Sequence, residues 1–130
     1  MSLVDLVAMM AIAQFLTFSV LVGRARVKYG VRAPAIMGSE NFERAYRVQM
    51  NTLELLVAFI PALYVASKYW SSLFVAVCGV IYLIGRLVYR RSYLAAPDTR
   101  SFGFLLSFAP VVILILSAVV GAVRSLISGG

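Results

Sequence analysis

The chain has 130 residues, of which 62% are hydrophobic and 13% charged, with a formal net charge of +7, no histidine and one cysteine. A mean hydropathy of +0.95 is foreign to soluble domains and marks an integral membrane protein. The same inventory removes imidazole acid–base chemistry, histidine-held zinc, iron or haem, and any disulfide within the chain, so neither a metal nor a haem is expected.

In chain order, the first apolar stretch covers residues 3–23, long enough to cross about 30 Å of hydrocarbon. Residues 1–5 lack the positive charge that opens a secretory signal, so this helix is expected to stay in the protein. Asp5 falls at the membrane interface, on the side where Lys68, Tyr69 and Trp70 form an aromatic and basic belt. The connection that follows, residues 24–41, is the longest. Its Gly30 and Gly38, with Gly23 before them, stand too far apart to cradle a phosphate.

The second apolar stretch, residues 53–67, spans a bilayer only with its polar flank, and Ser39 or Asn41 can cap a helix that includes the flank. Steps of three and four place Arg44, Arg47, Asn51 and Glu54 on one helix face. Two uses of that stripe are open. Glu54 can pair with Arg47 or with an arginine of another helix and merely fix packing, or the arginines and glutamate can receive the carboxylates and amine of a ligand.

After a tight hairpin at residues 68–71, the third stretch covers residues 73–85 and again needs a polar flank. Cys78, between Val77 and Gly79, reads as packing, and Gly79 with Gly85 as close helix contact. Tyr82, Arg86, Tyr89 and Tyr93 step by four, three and four along one face, either as an interfacial aromatic belt or as half of a site. Residues 95–100 hold Pro97 and Asp98, which suit a turn and a helix start near Asp98. The fourth stretch is residues 102–123, and Arg100 at its head adds positive potential beside the helix amides, a place for an anion and above all a thiolate.

Short connections predict one domain over residues 1–130, an all-α antiparallel four-helix transmembrane bundle. Arg24, Arg26, Lys28, Arg32, Arg44, Arg47, Arg86, Arg90, Arg91 and Arg100 lie in or beside the first and third connections, against Lys68 and Arg124 on the other side. Ten against two puts that end in the cytoplasm and both termini opposite. The same bias accounts for the net charge, so no nucleic-acid partner is expected.

The run from Phe42 to Glu54, the run from Tyr82 to Tyr89, and Tyr93 with Arg100 resemble the MAPEG family, membrane-associated proteins in eicosanoid and glutathione metabolism, and most nearly its leukotriene C4 synthase and microsomal glutathione transferase branch. The resemblance implies a homotrimer that binds glutathione as co-substrate between subunits. By residue, it implies that Arg47, Asn51 and Glu54 of one helix 2 hold the tripeptide with Arg86, Tyr89 and Tyr93 of the adjoining subunit, and that Gln49 is another contact. Arg100 would hold the thiolate, and Arg24 or Arg26 would stand near a lipophilic second substrate. Leu55 replaces the tyrosine that follows the glutamate in the leukotriene-forming branch, and the first loop differs in length. Both departures favour a general detoxifying glutathione S-transferase, acting on electrophiles or, as a peroxidase, on hydroperoxides. The alternatives are a non-catalytic lipid-binding or scaffold protein of the same family and a small multidrug exporter. The exporter fits poorly, since its carboxylate belongs in the first helix and its charge bias is weak.

Overall fold

A computed structural model describes residues 1–129 and contains four long helices: α1 (Ser2–Tyr29), α2 (Glu40–Tyr69), α3 (Ser72–Ala95) and α4 (Ser101–Ile127). All four are long and apolar enough to cross a membrane, and the protein is an integral, multi-pass membrane protein. The polar flanks of the second and third apolar stretches are helical, as their lengths required. Each helix ends for a local reason. Gly30 takes a left-handed φ of 69° and its amide returns to the Arg26 carbonyl, closing α1 beyond the apolar stretch. Ser39 accepts from the Phe42 amide and Ser71 from the Phe74 amide, starting α2 and α3. Between α3 and α4, Pro97–Thr99 form a single 3-10 turn, so α4 begins at Ser101, slightly later than Asp98 suggested.

The bundle is antiparallel. At one end the Tyr64 hydroxyl of α2 donates to the Asp5 carboxylate of α1 at 2.8 Å, and the Trp70 indole donates to the Ser117 carbonyl of α4 at 2.7 Å. At the other end Arg26 of α1 lies over the Phe42 ring at 4.8 Å, and Arg44 of α2 donates to the Leu94 carbonyl of α3 at 3.1 Å. The central core joins all four helices around Val4, Phe59, Leu63, Val75, Tyr82 and Leu114. Tyr82 stacks on Phe59, with centroids 3.9 Å apart and planes 9° from parallel, so it belongs to this core and not to an interfacial belt. Cys78 is buried in the same core.

Glycines set how near the backbones come. A Cβ on Gly103 would run into the Tyr89 backbone, and one on Gly85 into the Ser107 amide, so α3 and α4 touch main chain to main chain. A Cβ on Gly79 would strike Val7 of α1. Gly103→Leu is therefore expected to cost about 1–3 kcal/mol or more, since only a shift of one whole helix could make room. Gly23 has open space around it, and Gly23→Leu is expected to stay within about 0.5 kcal/mol of the parent. Thermal unfolding in detergent tests the pair, and equal midpoints would refute the packing argument.

Candidate functional site

The close α3–α4 contact brings polar side chains of three helices together near the basic end. Arg86 of α3 is fully buried. Its Nη1 donates to Asn51 Oδ1 at 2.8 Å and to Thr52 Oγ1 at 3.3 Å on α2, while Nε and Nη2 donate to Ser107 Oγ on α4 at 2.9 and 2.6 Å. The Ser107 hydroxyl in turn donates to the Gly103 and Phe104 carbonyls. The guanidinium also lies 4.3 Å from the Tyr89 ring centroid, which spreads its charge over a π face. No carboxylate neutralises it: among the described residues the ion pair found is Arg44 with Glu40, at 2.7 Å on the surface of α2. A buried cation held by neutral oxygens and an aromatic ring stays charged without cancelling the field it sends into its surroundings.

In front of Arg86 opens a groove of about 460 Å³ lined by Asn51, Tyr89, Arg100, Ser101, Phe104 and Leu105. A guanidinium can only donate, so it takes the Asn51 oxygen and leaves the Nδ2 hydrogens for a guest in the groove. Tyr89 is almost fully buried and its ring packs on Tyr93 and Phe104, with centroids 5.6 and 6.2 Å away. Arg100 is exposed, with Nη1 donating to the Pro97 carbonyl at 2.8 Å and the guanidinium 6.0 Å from the Tyr93 ring. The groove thus has an exposed cation at its mouth and a buried cation behind its wall. That field favours an anionic guest.

The residues singled out from sequence fall into three groups. Asn51, Tyr89 and Arg100 line one groove within one chain, with Tyr93 beside Arg100 and Arg86 behind. A single chain thus supplies Asn51 of α2 and Tyr89 of α3 to the same wall. Arg47 and Glu54 are exposed on the outer face of α2 and form no ion pair with each other, which leaves the packing use of the stripe without support in a single chain. Gln49 and Arg26 are engaged elsewhere: Gln49 Nε2 donates to Ser19 Oγ at 2.7 Å, and Arg26 Nη1 to the Ala35 carbonyl at 2.7 Å. Arg24 lines a different cavity, among α1, α2 and α3. Thr52, Ser107 and Phe104 were missed. The one sequence signal for Ser107 was its place four residues after Gly103, a pair of small residues on one face of an otherwise apolar helix.

Fold and groove together define a polytopic helical membrane protein that builds a cationic, aromatic-walled site near one end of its bundle. The chain belongs to the MAPEG family, whose model matches residues 4–120. It is similar to an uncharacterized protein of Synechocystis, 41% identical over 113 residues that make up 87% of this chain and 82% of the relative. It is also similar to microsomal glutathione S-transferase 2 of Homo sapiens, 36% identical over 119 residues, 92% of this chain and 81% of that protein. Leukotriene C4 synthase of Bos taurus is 33% identical over 104 residues, 80% of this chain and 69% of the synthase.

Proposed function

We propose that the protein is a glutathione S-transferase of the membrane, assembled as a homotrimer, that activates glutathione as its thiolate for attack on lipophilic electrophiles. The observation that carries this reading is the convergence of Asn51, Tyr89 and Arg100 on one groove, backed by the buried charge of Arg86. The named relatives include a glutathione S-transferase and a leukotriene C4 synthase, which supports the same chemistry.

Each part of glutathione meets a matching group. Its two carboxylates suit Arg47 and the donors of the groove, its amine suits Glu54, and its sulfur suits Arg100. Because Arg47 and Glu54 face outward on α2, a neighbouring subunit can close the tripeptide between two chains, with Gln49 of one of them as a further contact. A thiol with a pKa of about 8.5 is mostly protonated at neutral pH, and a guanidinium beside the sulfur shifts it toward the thiolate. The sulfur lone pair then forms the C–S bond while the electrophile's leaving group departs or its strained ring opens. No histidine base is required. The apolar groove beside Leu105, lined by Phe102, Leu106 and Ile113, lets a lipophilic partner approach from the membrane. With a hydroperoxide, two glutathiones would yield the alcohol, water and glutathione disulfide. The ten-to-two charge bias supports a site that faces the cytoplasm.

Detergent-purified protein is expected to bind reduced glutathione, to show thiolate absorbance near neutral pH, and to conjugate at least one member of an electrophile panel. Glu54→Gln should weaken glutathione binding by roughly ten-fold, the loss of one charge-assisted contact. Binding without turnover against electrophiles and hydroperoxides would replace this reading with a lipid-binding or scaffold role. Proton-driven export from vesicles that ignores glutathione would replace it with transport, and a monomer by mass photometry would remove the trimer.

A further inference from the structure

The basic end of the bundle holds a second cavity, apart from the groove of Asn51, Tyr89 and Arg100. It measures about 630 Å³, and Arg24 and Lys28 of α1 and Arg90 of α3 line it above an apolar floor that includes Leu21 and Leu94. A neighbouring groove of about 640 Å³ shares Leu21, Arg90 and Leu94 with it and continues between α1 and α3 past Phe18 to Thr17. At 1.5 Å per residue, the path from Lys28 down to Thr17 is about 16 Å long, basic at the top, where Arg90 and Arg91 also line it, and mainly apolar along Leu21, Phe18 and Leu87 before it reaches Thr17. Neither lining includes an aspartate or a glutamate, and neither shares a residue with the groove of Asn51, Tyr89 and Arg100.

The charge here suits an anionic occupant. Arg90 is half-buried, its guanidinium rests 5.7 Å from the Phe18 ring, and among the described residues no carboxylate pairs with it, with Arg24 or with Lys28. Three cations around one apolar-floored cavity repel one another, and an anion among them relieves that repulsion. Water-soluble anions would satisfy the cations and leave the apolar groove below them unfilled. An amphiphile with an anionic head and a hydrocarbon tail satisfies both, and basic cavities between transmembrane helices take such headgroups.

We propose that the upper cavity among α1, α2 and α3 and the groove below it between α1 and α3 form a binding site for an anionic phospholipid, its phosphate among Arg24, Lys28 and Arg90 and an acyl chain along Leu21, Phe18 and Leu87. Arg90 stands where the two grooves join, so it reads the head while Phe18 and Leu87 accept the tail.

Native mass spectrometry of the detergent-purified protein tests this directly, with phosphatidylglycerol and phosphatidylcholine of identical acyl chains as probes. Phosphatidylglycerol is expected to be retained in preference. Arg90→Gln should lower that retention about five-fold, the worth of one cation near a lipid headgroup. Arg24 and Lys28 are exposed, so Arg24→Gln with Lys28→Gln tests the site without touching the half-buried Arg90, and should lower retention further still. Arg124→Gln, at the opposite end, should keep the parent's retention. Equal retention of the two lipids, undiminished retention in the Arg24 and Lys28 double variant, or equal competition by glycerol 3-phosphate without acyl chains would each overturn the proposal. Lipid retention is measured without glutathione, so its outcome is separate from that of the transferase reading.

Discussion

Arg100→Ala is expected to lower glutathione-transferase turnover by about 10²- to 10³-fold, the loss seen when a preorganised charge stabiliser is taken from a reacting centre. Binding of glutathione should weaken much less, because the carboxylates and amine of the tripeptide are assigned to other residues. The reason lies in where Arg100 sits. It is exposed at the mouth of the groove, tied among the described residues to the Pro97 carbonyl and set 6.0 Å from the Tyr93 ring, so its guanidinium can turn onto a sulfur. Arg86 cannot take over, since every nitrogen of its guanidinium already donates inside the bundle. Arg100→Lys should restore part of the rate, as a point charge replaces a planar fork. Thiolate absorbance of the glutathione complex is the deciding readout. If it persists unchanged in Arg100→Ala, the sulfur is held by something else.

The helices were legible because hydrocarbon leaves a chain few choices. A long apolar run must satisfy its own backbone hydrogen bonds, and in this composition the helix is the available answer. Helix ends were legible where a capping side chain announced them, as at Ser39, and less so at Pro97–Thr99, where a 3-10 turn delays α4 to Ser101. The site was harder, because spacing reports which residues share a face and not what that face meets. Arg44 and Arg47 differ by only about 60° around α2. Yet Arg44 reaches the α3 backbone while Arg47 points outward. Tyr82, Arg86, Tyr89 and Tyr93 do share a face of α3, but along it the surroundings change from aromatic core, to polar cross-tie, to groove wall, to surface. Ser107 carried almost no signal: a single hydroxyl in an apolar helix gains meaning only when an arginine from another helix arrives beside it.

Arg86→Ala is expected to destabilise the folded bundle by about 2–4 kcal/mol. Two contributions oppose each other. Removing a buried cation relieves its desolvation, which in a membrane helix is worth about 2.5–3.5 kcal/mol for an unpartnered charge. Arg86 is not unpartnered, since four hydrogen bonds and the Tyr89 face already return most of that cost. What remains after truncation is a cavity at the junction of three helices, with Asn51, Thr52 and Ser107 stripped of their donor. Arg86→Leu should be milder for stability, because it fills the volume and buries no charge. It should still weaken glutathione binding, because nothing then holds the Asn51 oxygen and turns its Nδ2 toward the groove. Arg86→Lys should rescue little, since a single ammonium cannot span Asn51 on α2 and Ser107 on α4 together. Thermal unfolding in detergent with and without glutathione separates the two roles. An Arg86→Leu protein that binds glutathione as the parent does would reduce Arg86 to a packing residue, and an Arg86→Ala protein with the parent's unfolding midpoint would dismiss the cross-tie altogether.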